Sequence, residues 1–191
     1  VKDVSFQGEV IQGHNINVGY FAQDETTKLD PNKTVFETID DVAVGEIRKK
    51  IRQILGSFLF SGDDVEKKVK VLSGGEKTRL SLCKLLLEPY NFLILDEPTN
   101  HLDIISKEIL KEALERYTGT LIIVSHDRDF LDGLTEKVFY IKNKRLKIYY
   151  EGLKMFLKSY YDEDNTSNTN EAVKKSSGKS KGVNFKKLSN R

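Results

Sequence analysis

The chain has 191 residues, with 31 Lys and Arg against 29 Asp and Glu, for a formal net charge of +2. That length allows one domain with a substantial core, and the charge balance makes no case for a nucleic-acid partner by itself. A single cysteine, Cys83, excludes an internal disulfide and fits a reducing, cytoplasmic compartment. No apolar run approaches the ~20 residues of a membrane span, and no signal peptide is evident. The chain starts at Val1 and its sole methionine is Met155, so a piece of a longer protein, cut at the N-terminus, is expected.

Taken in order, residues 1 to 24 read as short strands with turns: Glu9 to Gln12, then Asn17 to Phe21. Gln23 follows, and on local sequence alone it is a loop residue. The period then changes. Thr34 with Glu37 three residues on is a capping box for a helix to about Asp40. A second helix is expected from about Gly45 to Leu55, with Ile47, Ile51, Ile54 and Leu55 on one face. Phe58 to Phe60 form an apolar knot, and Ser61 to Asp64 open a short charged helix through Lys68.

LSGGEKTR, residues 72 to 79, precedes a helix to Glu88 whose polar positions are Lys77, Ser81, Lys84 and Glu88. Ser73-Gly74-Gly75 at its start reads as an N-cap with a glycine turn. It also reads as a place where a phosphate can approach the backbone at the positive end of a helix. Cys83, among leucines, reads as a small buried hydrophobe.

LILDEPTNHLD, residues 93 to 103, organises the rest. The apolar run Phe92 to Leu95 reads as a strand buried on both faces, leading into Asp96 and Glu97 and stopped by Pro98. Asp103 can cap the next helix, where Ile105, Ile109, Leu110, Ala113, Leu114 and Tyr117 share a face. Leu121 to Val124 form a second buried strand ending in Ser125-His126-Asp127. Strand, helix, strand is a βαβ unit. If its strands are neighbours, Asp96, Glu97 and His126 meet at the carboxyl edge, where open α/β sheets bind ligands. An acid pair with a histidine there suits work on a phosphate or a metal-bound water.

Beyond His126 come a short helix from Asp129 to Leu134 and a hairpin of 137 to 141 with 146 to 150 around Asn143-Lys144. A last helix runs from Leu153 to Tyr161. From Asp162 the composition collapses to Asn, Ser, Thr, Gly and Lys, a disordered linker with a basic end.

In this order the motifs resemble an ATP-binding cassette, the ABC ATPase domain, over roughly residues 1 to 160. The resemblance implies a P-loop NTPase-like α/β core, a mostly parallel sheet with flanking helices and an inserted helical subdomain at about 34–88. It implies a partial ABC domain over 1–161 and a linker over 162–191. It makes Gln23 the Q-loop glutamine, contacting magnesium and the attacking water. Ser73, Gly74, Gly75 and Glu76 belong to the signature motif, and Asp103 to the D-loop. Asp96 is the Walker B aspartate holding Mg²⁺, Glu97 the catalytic glutamate and His126 the switch histidine. VGYFAQD, LSGGEKTRLSLCKLLLEP, DEPTNHLD and SHDRDFL are similar to the F subfamily. Those are soluble proteins with two cassettes in one chain that act on the ribosome. A second cassette of such a protein is the expectation, with ATP, Mg²⁺, a partner cassette and ribosomal RNA or tRNA as partners. The alternative is the ATP-binding subunit of a membrane transporter.

One departure is large. No GxxxxGK[ST] occurs in the sequence. In the family that phosphate loop lies N-terminal to the Q-loop, so it falls upstream of Val1, and this piece alone is expected to be inactive.

Overall fold

A computed structural model describes residues 7–22 and 24–161. The chain divides into two compact units, one ending at Leu134 and one beginning at Thr135. The expected linker, 162–191, and Gln23 lie outside the described residues.

In the first unit, β1 (Val18–Phe21), β2 (Phe92–Asp96) and β3 (Thr120–Val124) form a parallel sheet in that order. Phe21 pairs with Leu95, and Asp96 with Val124. The middle strand is therefore the one that carries the two carboxylates, and all three strands deliver their carboxyl ends to one edge. The expected βαβ unit is present, with α4 (Ile104–Glu115) as its crossover.

The helical insert comes between β1 and β2. Its first helix, α1 (Val35–Asp40), begins with the expected capping box. The Glu37 N–H donates to Thr34 Oγ1 at 3.1 Å, and the Thr34 N–H donates to Glu37 Oε2 at 2.7 Å. A backbone clasp closes the insert, with the Val35 N–H on the Lys67 carbonyl at 3.0 Å and the Val69 N–H on the Lys33 carbonyl at 2.9 Å. Where one helix was expected from Gly45 to Leu55, a 3₁₀ segment over Gly45–Lys50 precedes α2 (Ile51–Ser57). Only the α2 part is anchored by fully buried residues, Ile51 and Leu55. The knot resolves into buried Phe58 and Phe60, with Leu59 turned out at a positive φ of 63°.

The long helix α3 (Gly74–Leu87) belongs to both halves. Leu80 and Cys83 join the core of the insert, while Leu82 and Leu85 join the core under the sheet. Ser81, expected on the polar stripe, is buried. Cys83 is fully buried, and burial alone pushes its thiol up to about 12, which leaves no thiolate for chemistry.

Three expectations are corrected. Glu9 to Gln12 form no strand, and Val10 and Ile11 are exposed, because alternation was weak and no described strand lies beside them. Neither β2 nor β3 is buried on both faces. Leu93 and Leu95 are fully covered, but Ile122 and Val124, with Val18 and Tyr20 on β1, form an exposed apolar face. An apolar run fixes what a strand prefers, and only its neighbours decide what covers it. Finally, Ile105 is exposed, and α4 instead buries Ser106, Leu110 and Leu114.

The second unit is a hairpin, β4 (Val138–Lys142) with β5 (Arg145–Tyr149), followed by a helix over 153–161, α6. Asn143 and Lys144 both take positive φ, 52° and 60°, as a two-residue primed turn requires. Tyr140, Tyr149 and Tyr160 close around Phe156. The short helix expected after His126 is α5 (Arg128–Leu131) in the first unit. Among the described residues no helix is long and apolar enough to cross a membrane.

Candidate functional site

The β2 strand stops where its sequence requires. The Glu97 N–H still donates to the Val124 carbonyl at 2.8 Å, the last rung toward β3. Glu97 itself takes φ = +48°, a left-handed conformation that non-glycine residues enter at a cost of about 1–3 kcal/mol. Pro98 then enforces the break. The Asn100 N–H returns to the Glu97 carbonyl at 3.1 Å and the Leu102 N–H to the Thr99 carbonyl at 3.2 Å. The strain turns the Glu97 side chain toward the end of β3.

There it meets His126. The His126 backbone N–H donates to Glu97 Oε2 at 3.4 Å, and His126 Nε2 lies 3.6 Å from Glu97 Oε1. The glutamate side chain is 15% exposed and the histidine side chain 100% exposed. A fixed carboxylate therefore faces a ring open to solvent. Asp96, one residue earlier, shares the β2 face of Phe92 and Ile94, opposite the fully covered Leu93 and Leu95. The sheet thus brings Glu97 and His126 together and delivers Asp96 to the same edge, as the spacing implied.

The surroundings of His126 are braced by its neighbours Ser125 and Asp127, together with Thr99 and Lys107, which sequence reasoning did not single out. Ser125 Oγ lies 3.4 Å from Thr99 Oγ1 and accepts from the Asp127 N–H at 3.1 Å. Asp127 caps α5 through the Phe130 N–H, and Lys107 Nζ on α4 donates to its Oδ2 at 2.6 Å. That ammonium holds the Asp127 carboxyl below the usual carboxylate range. No pattern in the sequence pairs Lys107 with Asp127, because only packing α4 against the end of β3 makes them neighbours.

The signature residues stand apart from this pair. Ser73 and Glu76 form a second capping box on α3, with the Ser73 N–H on Glu76 Oε2 at 2.7 Å and the Glu76 N–H on Ser73 Oγ at 3.3 Å. The Ser73 N–H, as the leading cause, holds the Glu76 carboxyl below the usual carboxylate range. A side chain grown on Gly74 would meet nothing within 4 Å, whereas one on Gly75 would come within 3.0 Å of the His101 carbonyl oxygen. The signature turn is thus open at Gly74 and pressed at Gly75 against the turn that follows Pro98. Asp103 caps α4 as expected, accepting from the Ser106 N–H at 2.8 Å, which is the first cause of its lowered carboxyl pKa. Gln23 lies outside the described residues, two positions beyond the end of β1.

Arg79 was also missed, and the sequence did hold a signal for it. At 100° per residue it lies opposite the stripe of Lys77, Lys84 and Glu88 on α3. A charge on the apolar side of a helix calls for a partner.

A parallel sheet with an inserted helical segment, and a glutamate and histidine at its carboxyl edge, defines the class before any comparison. The family model for the ABC transporter matches residues 1–100. The chain belongs to the ABC transporter family. ABC transporter F family member 2 of Arabidopsis thaliana is 45% identical over 152 residues, which are 79% of this chain and 22% of that protein. The chain spans about a quarter of the length of the curated relatives it matches. Among solved structures it is similar to the archaeal ribosome recycling factor aABCE1 in its complex with the ribosomal stalk protein aP1. The TM-score is 0.61, the identity 25%, and the match covers 79% of this chain and 31% of that one. It also shares its fold with the dimeric post-hydrolysis cassette MJ0796 bound to ADP and Pi. There the TM-score is 0.55, the identity 22%, and the cover 71% of this chain and 63% of that one.

Proposed function

We propose that this chain supplies the water-activating half of an ATP-hydrolysing cassette that works with a second cassette in translation on the ribosome. The observation that carries the chemistry is the strained Glu97, held 3.6 Å from His126 across two neighbouring strand ends. Phosphoryl transfer asks the protein for positioning and charge stabilisation more than for covalent chemistry. Glu97 acts as the base that takes a proton from the attacking water, and its carboxylate is oriented by the His126 backbone N–H. His126, its ring exposed, donates toward the terminal phosphate.

Asp96 is the metal residue of the reading, with Gln23 assigned beside it by resemblance. Among the described residues no group of three or more His, Cys, Asp or Glu can cage a metal ion. That donor set fits Mg²⁺, which takes one or two carboxylates and otherwise keeps waters and phosphate oxygens. When bound, the ion neutralises charge on the phosphates. The sequence carries no GxxxxGK[ST], so residues 1–191 alone should hold ATP poorly and hydrolyse none.

Ser73, Gly74, Gly75 and Glu76 open a separate helix beyond the insert and are assigned to the partner cassette's nucleotide, with Asp103 at the same junction. The dimeric arrangement of the MJ0796 cassette supports a two-cassette assembly. The ribosomal reading rests on the resemblance to the F subfamily, matched by the F-family relative, and on the stalk-protein complex of aABCE1.

The test is Glu97→Gln in the full-length protein. ATP binding should persist, while single-turnover phosphate release, with the other cassette disabled, falls ~100- to 10,000-fold. Wild-type release would remove Glu97 from the role. With the counterpart glutamate also changed, the protein should co-sediment with ribosomes in ATP. Partitioning with membranes instead would install the transporter alternative.

A further inference from the structure

The least comfortable side chain in the first unit is Arg79. Its guanidinium is carried on α3, one and a half turns after the Ser73 cap, and its side chain is only 12% exposed. Nη1 donates to Ser106 Oγ at 2.8 Å and lies 3.6 Å from Asp103 Oδ2. The guanidinium carbon stands 5.5 Å from the Phe60 ring centroid. Nε is buried without a hydrogen-bond partner.

The burial of the charge and the unpartnered Nε count against a purely structural role. Burying a cation costs desolvation that a single ion pair at 3.6 Å seldom repays. A buried donor with no partner adds its own penalty. Ser106 and Asp103 sit at the N-terminus of α4, the positive end of a helix dipole, where a cation is misplaced. A methionine would fill the same space against Phe60 with none of these costs.

What the arginine does that an apolar residue cannot is tie two segments together. Asp103 ends the turn that starts at strained Glu97, and Ser106, 1% exposed, is in the first turn of α4. Four residues before Arg79, Gly75 touches the same turn, leaving only 3.0 Å between an added Cβ and the His101 carbonyl oxygen. His101 also takes a left-handed φ of 66°, so this turn is held rather than relaxed.

We propose that Arg79 is a positioning residue that binds the turn from Glu97 to Asp103 onto the first turns of α3, so that the signature turn and the catalytic glutamate move as one block. Closure of a partner cassette on Ser73 to Gly75 then reaches Glu97 through Arg79 and Asp103. The proposal rests on the ATPase reading above, and its test separates the two.

Three variants of the full-length protein suffice: Arg79→Met, Arg79→Lys and Asp103→Asn, the last keeping the helix cap while removing the charge. Hydrogen exchange without nucleotide is the readout independent of ATP. In Arg79→Met the amides of residues 100–107 should exchange faster while those of 80–87 keep their protection. In steady-state turnover, Arg79→Met and Asp103→Asn should each lower kcat roughly 10- to 100-fold with KM within about threefold. The double variant should be no slower than the worse single, and Arg79→Lys should recover part of the loss. Unchanged exchange at 100–107, multiplying effects in the double variant, or no recovery with lysine would each overturn the proposal. If the wild-type protein hydrolyses no ATP, the ATPase reading falls, and the exchange result alone decides the role of Arg79.

Discussion

The helical insert and the sheet were equally legible in the sequence, yet they differ in how complete they are. The insert is closed on itself. Val35, Ile39 and Leu55 are wholly buried, a backbone clasp joins its two ends, and a capping box opens α1. The sheet is finished on one face only. Leu93 and Leu95 are wholly buried against α3 and α4, while Val18, Tyr20, Ile122 and Val124 face outward at 37–52% exposure. Asp96 and Glu97 sit at the end of the less finished layer, and the turn of Ser73 to Gly75 lies at the border with the finished one.

The sharpest break of that contrast is a pair of truncations. Leu55→Ala should cost about 2–5 kcal/mol of stability, as a fully buried leucine leaves a cavity. Ile122→Ala should cost less than about 1 kcal/mol, since much of its surface is already in water. Urea melts of residues 1–191 measure both, and equal losses would erase the difference between the layers. The buried side of the sheet supplies the control. Gly19→Ala places a Cβ 2.6 Å from both Leu93 Cδ2 and Tyr90 Cδ2, an overpacking expected to cost about 1–3 kcal/mol.

The two capping boxes compare the layers at their borders. Thr34→Ala and Ser73→Ala should each lose ~1 kcal/mol. Only Ser73→Ala should also impair nucleotide-dependent pairing of cassettes, followed by light scattering of the full-length protein with and without ATP.

The smallest effect is on acid sensitivity. Lys107 holds the folded Asp127 carboxyl below 3.8. The stability this lends is complete above the unfolded value and is lost as pH falls through the lower, folded one. Lys107→Met should therefore lower stability at neutral pH slightly, and the variant and the wild type should converge as pH falls from 3.8 through the lower, folded value. A difference that grows toward acid pH would reverse the sign of this account. Exposed apolar residues sharpen the comparison last. Ile122→Thr with Val124→Thr should raise the solubility of residues 1–191, and an unchanged precipitation threshold would show that the outer face of the sheet is not what limits it.

Local chemistry was readable without a fold. Thr34 with Glu37, and Ser73 with Glu76, announce helix starts because a cap is satisfied within four residues. Asn143-Lys144 announces a turn, and Phe92 to Leu95 announces a strand, for the same reason of short range. The meeting of Glu97 and His126 was a step further, since it required β2 and β3 to be neighbours, but the length of the crossover made that the simplest arrangement. Coverage and long-range partners were not readable. The apolar run of β3 states a preference for cover on both faces, and the exposure of Ile122 and Val124 depends on what packs there. Ile105 lost its place in the core because the packing of α4 covers Ser106 instead. Lys107 with Asp127, and Arg79 with Asp103 and Ser106, join residues 20 to 27 positions apart. Sequence determined the elements, because their energies are settled between near neighbours. Only the tertiary structure decided which faces stay bare and which charges meet, because those energies arise where separate elements pack.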